Sequence, residues 1–235
     1  MRYFVLYTHT PTRPEALYDW HRGLGRRFQS KPAWHNHDPQ TGRALHRYPL
    51  IQYKILNGHF AIVGLDSTQA DLFELAAALP LGFWIKGRYQ QLTFNKVVEY
   101  KVGLQQTADT YGYQLDNWIP MNSDQFQQYK SLCAQLQLDK GQPMIEHPEL
   151  LHFFEGLLRE KLERFLADRH PASTAFPLHI ELISKKIQHA QTIFYKGTHV
   201  SMLKGVQLRM NFKWPLHLGL GIGAAIGYGM FKPLQ

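Results

Sequence analysis

Cysteine is almost missing from this sequence, with Cys133 the only one in 235 residues. It has no internal disulfide partner, and no Cys-x-x-Cys or Cys/His zinc spacing exists around it. A reducing, cytoplasmic location without a structural zinc is the expectation. Long apolar runs are missing as well. No uninterrupted stretch reaches the ~18–20 residues of a membrane span. The nearest, Leu216 to Phe231, contains His217 and five glycines. The N-terminal MRYFVLYTHTPTRPEA has neither the apolar core nor the small-residue cleavage site of a signal peptide. A protein without membrane attachment is expected. Low-complexity segments are also absent, and 44% hydrophobic against 19% charged residues is an ordinary globular balance. The length suits one large domain or two of roughly 100 residues.

Acidic residues are scarce where they matter. The net charge is +8, and no Asp or Glu follows Glu181. That tail carries Lys185, Lys186, Lys196, Lys204, Arg209, Lys213 and Lys232. A second block, His21 to Leu65, holds Arg22, Arg26, Arg27, Lys31, Arg43, Arg47 and Lys54 against Asp38 alone. Two distant basic segments predict one basic face, for which a polyanion is the natural partner, since each neutralised phosphate releases counterions. A basic protein with solvated surfaces is the plainer alternative.

The order of elements is legible. Arg2 to Thr8 is β-branched and aromatic and predicts a strand. Glu15 to Phe28 has helical spacing through Leu17, Trp20, Leu24 and Phe28. Tyr48 to Leu56 and His59 to Leu65 flank Asn57-Gly58, a two-residue hairpin turn in which both residues take positive φ. Asp66 to Leu79 predicts a helix capped by Ser67, and Leu92 to Val102 a strand. Strand, helix, hairpin, helix, strand is the ferredoxin-like arrangement. The second half repeats it loosely: a strand at Tyr111–Pro120, a helix at Ser123–Leu138 capped by Ser123, and a longer helix at Pro148–Asp168. Strands follow at Phe176–Ile183, Gln191–Lys196 and Val200–Phe212, and a short one closes the chain at Tyr228–Lys232. The expected fold class is α+β, two tandem ferredoxin-like (βαββαβ, RRM-like) domains with a C-terminal glycine-rich loop. The domains are expected at 1–105 and 106–235.

Three features bear on chemistry. Gly219, Gly221, Gly223, Gly227 and Gly229 would let backbone amides approach a phosphate with no Cβ in the way. A dinucleotide fingerprint needs a helix and a further strand beyond it, which the few remaining residues cannot supply, and no Gly-Lys-Ser/Thr is present for a Walker loop. A glycine-laced strand packed in a sheet is the alternative. The second feature is Trp34-His35-Asn36-His37 in a proline-bounded loop. RNA cleavage through the neighbouring 2′-hydroxyl needs a base, an acid for the 5′-oxygen and a cation for the phosphorane. Histidine suits either proton role, because its pKa lies near neutrality. Residues two apart in an extended segment share a face. His46 and Tyr48 are reserve proton carriers, with packing the stronger reading for Tyr48. Lys54 is either a phosphorane partner or a solvated lysine. The third feature is the basic stretch from Lys185-Lys186 to Lys213. Phe194, Tyr195 and Phe212 are interleaved there, as stackers of unpaired bases or as core.

With these residues in view, the ferredoxin-like N-terminal half, the segment HRYPLIQYK from His46 to Lys54 and the terminal GLGIGAAIGYGMF resemble the Cas-six family of CRISPR repeat endoribonucleases, its b subtype in particular. The resemblance implies cleavage of precursor CRISPR RNA within its repeat, without a metal or cofactor, leaving a 2′,3′-cyclic phosphate and a 5′-hydroxyl. It also implies that His35 and His37 occupy the place of the catalytic histidine, with His37 the main acid–base group. Repeat RNA would lie across Arg43, Arg47, Lys185, Lys186, Lys204, Arg209 and the five glycines. Ala224-Ala225 stands where relatives carry small polar or basic residues, so phosphate contact there would come from backbone alone. A CRISPR effector complex and a homodimer are the further partners compatible with this reading. A non-catalytic RNA-holding subunit on the same fold is the alternative, and a nucleotide-binding phosphate-transfer enzyme is a third. The third is disfavoured by the lack of a following helix and of clustered carboxylates for magnesium.

Overall fold

The computed structural model describes residues 1–34, 41, 47–138, 147–169, 177–183, 188–195 and 198–234. The chain divides into two units, Met1–Val102 with Ala224–Gly227, and Gly103–Gly223 with Tyr228–Gln235. A four-residue piece of the glycine-rich tail thus belongs to the N-terminal unit.

In the first unit the strands are β1 (Arg2–Pro11), β2 (Ile51–Leu56), β3 (His59–Leu65), β4 (Leu81–Ile85), β5 (Arg88–Leu92) and β6 (Phe94–Lys101); the helices are α1 (Leu17–Arg27) and α2 (Gln69–Ala78). The main sheet has the order β2-β3-β1-β6, antiparallel throughout. That order and connectivity define the ferredoxin-like fold. Strand alternation sends Phe4 and Leu6 of β1, Phe60 and Ile62 of β3, and Ile51 and Tyr53 of β2 to one face. There they meet Leu17, Trp20 and Leu24 of α1 and Leu72 and Leu75 of α2. Each such side chain contributes about 2 kcal/mol through burial. Asn57 and Gly58 take φ of 51° and 79°, as the hairpin turn requires.

The second unit is built from β7 (Tyr111–Asp116), α3 (Ser123–Gln135), α4 (Pro148–Arg169), β8 (Ile180–Leu182), β9 (Gln188–Tyr195), β10 (Thr198–Lys204), β11 (Val206–Met210) and β12 (Met230–Pro233). Its sheet order, β12-β7-β11-β8, places last, first, third and second strands side by side as in the first unit. Two helices stand between β7 and β8. The second crossover, between β11 and β12, carries the glycine-rich segment with one 3-10 turn, Ala224–Ile226, in place of a helix. Along α4, Leu150, Phe154, Leu157, Leu158, Leu162, Phe165 and Leu166 are buried, whereas Leu151 is only half-buried.

Several expectations are corrected. Ser67 does not cap α2: the helix is preceded by a 3-10 turn, Asp66–Thr68, and no side chain caps it. The Thr68 hydroxyl instead donates to the Leu65 carbonyl at 2.8 Å. Ser123 is already helical. The cap is Asn122, whose side chain accepts from the Gln125 amide at 2.9 Å while Gln125 Oε1 accepts from the Asn122 amide at 3.0 Å, a reciprocal capping box. The strand expected over Val200–Phe212 is two, β10 and β11, separated at Gly205 with φ 62°. The hairpin β4–β5 was not anticipated at all; it turns through Lys86 and Gly87, both at positive φ.

Candidate nucleic-acid interface

The catalytic assignments meet the structure at β2. Its alternating Gln52 and Lys54 look like a solvent face in the sequence, yet both are fully buried. The Lys54 ammonium donates to the Ala224 carbonyl at 2.9 Å. Removal from water disfavours its charged form and pushes its pKa down to about 7. A buried lysine held by a backbone carbonyl is costly to keep, and such groups cluster where chemistry is done. Among the described residues β2 is an edge strand, and Ala224–Ile226 packs against it. A Cβ on Gly227, which has φ 91°, would stand 2.7 Å from Leu17 Cδ1 and 3.6 Å from the Tyr53 carbonyl oxygen. The tail segment fits only because that position is glycine.

The two histidines fall between Trp34 and Arg47, where only position 41 is described. His35, His37, Arg43 and His46 lie outside the described residues. The flanking residues Trp34 and Arg47 are both held. Trp34 is buried and stacks on Phe28, ring centroids 4.5 Å apart, and lies 6.5 Å from the Tyr53 ring. The Arg47 guanidinium donates to the Pro32 carbonyl at 3.2 Å. Tyr48 is buried beside the start of β2, which supports its packing reading. The sequence had not singled out His21 of α1. It sits edge-on to the Tyr53 ring at 5.2 Å, one turn beyond Leu17. Helical arithmetic from Leu17, Trp20 and Leu24 places position 21 on that same face. Next to it, Arg22 lies over the Tyr18 ring at 5.9 Å, and Arg26 and Arg27 close the last turn, where cations suit the helix dipole.

In the second unit, Lys185 and Lys186 lie outside the described residues. Lys204 is exposed at the end of β10. Arg209 on β11 stands 3.5 Å from the Glu181 carboxylate opposite it, so its charge is partly met within the protein. Phe212 is wholly buried beside Trp214, which assigns it to the core and removes it as a base-stacking residue. The ring of Tyr195 meets that of Tyr228 edge-on at 5.8 Å.

The remaining glycines are used for close packing. At Gly229, φ is 65° and a Cβ would fall 1.9 Å from the Leu220 carbonyl oxygen; at Gly221, φ is 93° and it would fall 2.8 Å from Trp118 Nε1. Gly223 is similarly closed by the Tyr228 ring at 2.7 Å, and Gly219 bridges to Met230. Amides at Ile222, Tyr228 and Gly229 are spent on the carbonyls of Ile119, Gly223 and Asn117. The glycines are therefore explained by packing, as a laced, sheet-like segment would be.

The class defined by these features is a tandem ferredoxin-like protein whose final crossover is a glycine-rich segment. Residues 1–102 match the family described as the Cas6b N-terminal domain. Among solved structures, a crystal structure of Cas6b is similar with a TM-score of 0.79 at 15% identity, covering 100% of both chains. A crystal structure of the CRISPR RNA processing endoribonuclease Cas6b gives 0.67 at 14% identity over 99% of this chain and 98% of that one. Csf5, the Cas6 crRNA endonuclease of CRISPR-Cas type IV, gives 0.55 at 12%, over 100% and 99%. At these identities the likeness is one of fold. No curated protein matches the chain.

Proposed function

We propose that this protein cleaves CRISPR repeat RNA in precursor transcripts by attack of a 2′-hydroxyl on the adjacent phosphorus, without a metal. The new bond joins O2′ to phosphorus and the bond to O5′ breaks, giving a 2′,3′-cyclic phosphate and a 5′-hydroxyl. One of His35 and His37 takes the 2′-hydroxyl proton and the other delivers one to the departing 5′-oxygen. Lys54 opposes the charge of the phosphorane. An approaching phosphate favours its protonated form, countering the burial that lowers its pKa. Arg43, Arg47, Lys185, Lys186, Lys204 and Arg209 hold the RNA. Arg209 does so by exchanging Glu181 for phosphate.

The observation that carries this reading is the buried Lys54 ammonium held against the Ala224 carbonyl on the strand that follows the histidine loop. A strand lysine kept from water at that cost, beside the tail segment, suits a catalytic cation better than a packing role. The test is incubation of labelled repeat RNA with excess EDTA, followed by analysis of the product ends. Cutting to cyclic phosphate and 5′-hydroxyl is expected. Tight binding without cutting would assign the RNA-holding role, and cutting abolished by EDTA would refute the mechanism.

A further inference from the structure

The hairpin β4–β5 has two unlike faces. Inward, Phe83 meets Trp20 edge-on at 5.4 Å, while Ile85 and Leu92 are buried in the core. Its root is fixed by the Thr10 hydroxyl, which donates to the Gln91 carbonyl at 2.9 Å and accepts from the Thr93 amide at 3.1 Å. Outward, Trp84 and Tyr89 stand directly opposite each other. They are 74% and 61% exposed, the two most exposed large apolar side chains in the described structure. Their rings meet at 5.8 Å, and Tyr89 lies across Gly82, where a Cβ would fall 1.9 Å from its hydroxyl. The hairpin thus presents a mounted aromatic surface with one position cleared to lay a ring down.

Its charge is of one sign. Between Glu74 and Glu99 there is no acidic residue, while Lys86 and Arg88 flank the turn. Arg88 and Lys86 also line a cleft with Arg13, in which Glu15 is the single carboxylate. Exposed rings flanked by cations suit unpaired bases on a phosphate backbone, since every base has a face to stack and every linkage a charge to neutralise. The positive rim points away from a second copy of this basic chain, which would bring like charges together.

We propose that the β4–β5 hairpin is a single-stranded RNA platform, on which Trp84 and Tyr89 stack unpaired bases while Lys86 and Arg88 hold the adjoining phosphates. This rests on the reading of the protein as RNA-binding and adds where an unpaired stretch of the RNA lies.

Trp84 reports on itself, because the other four tryptophans, Trp20, Trp34, Trp118 and Trp214, are at most 2% exposed. In the full chain, Trp84 emission should be quenched by acrylamide. Adding an oligouridylate of about ten nucleotides should quench the emission directly and shield it from acrylamide. Trp84→Ala/Tyr89→Ala should weaken the oligouridylate about tenfold, the loss of roughly one stacked base. It should leave duplex RNA affinity and the thermal midpoint unchanged, since both side chains are exposed. Trp84→Phe should restore most of the affinity. Oligouridylate and repeat RNA binding unchanged in the double variant, together with Trp84 of the unaltered protein staying open to acrylamide in the presence of oligouridylate, would overturn the platform and leave RNA binding standing. A dimer that falls apart in the double variant, with RNA affinity intact, would likewise overturn it in favour of a protein contact. Absence of any RNA binding by the unaltered protein would overturn both readings.

Discussion

Replacing Lys54 by methionine should leave the fold as stable as before, or more stable, at neutral pH. The two side chains have similar volume, so no cavity opens. Burial lowers the lysine to about 7. Relative to an ordinary lysine near 10.5, that corresponds to roughly 5 kcal/mol of folding free energy withheld at neutral pH, at about 1.4 kcal/mol per pH unit. Against this stands the hydrogen bond to Ala224, whose carbonyl would lose its partner at a cost of about 1–3 kcal/mol. The balance favours methionine by about 2–4 kcal/mol. The pH dependence isolates the effect. Above neutrality the folded protein releases the Lys54 proton while the unfolded chain keeps it to about pH 10, so wild-type stability rises with pH through that window. Below about pH 7 both states are protonated and the contribution is flat. Urea unfolding of both proteins between about pH 6 and 9 gives a difference curve in which other groups cancel. The methionine advantage should shrink as pH rises. A flat difference curve, or a loss above about 3 kcal/mol in the methionine protein at neutral pH, would show that the amine is a structural strut and refute the reasoning.

Other outcomes follow from single contacts. Gly229→Ala should cost about 3 kcal/mol, read as a fall in thermal midpoint, because its positive φ and the Leu220 carbonyl leave no room for a Cβ. Asn122→Ala should lower stability by about 1 kcal/mol in urea unfolding, whereas Ser123→Ala should be nearly neutral, since the capping box belongs to Asn122. Repeat RNA affinity should fall steeply with salt, with a slope steeper than about −3 in log–log form. A shallow slope would contradict the basic face.

The ferredoxin-like order was legible because its signals are local. Asn57-Gly58 sets its hairpin by backbone conformation, and Leu17, Trp20, Leu24 and Phe28 declare a helix face by spacing alone. The second hairpin escaped because Lys86 is not a usual residue for positive φ, although Gly87 beside it is. The cap at Ser123 failed by one residue, since serine marks a helix start without saying which neighbour has the right backbone geometry, and at Ser67 a 3-10 turn opens the helix with no side-chain cap. At the site, the sequence indicated Lys54 but not its burial. Alternation with Gln52 mimics a solvent face, and only the return of Ala224 to the β2 edge, 170 positions away, reveals the contact. Gly221 and Gly227 likewise owe their places to Trp118 and Leu17, long-range neighbours that spacing cannot name.

The central claim is tested most directly by single-turnover cleavage of repeat RNA in EDTA, comparing the unaltered protein with His35→Ala/His37→Ala and the natural RNA with one carrying 2′-deoxy at the scissile nucleotide. Cutting confined to the unaltered protein on natural RNA is the predicted result. Cutting that survives in the double variant or on the deoxy substrate would contradict the histidine-driven attack of the 2′-hydroxyl.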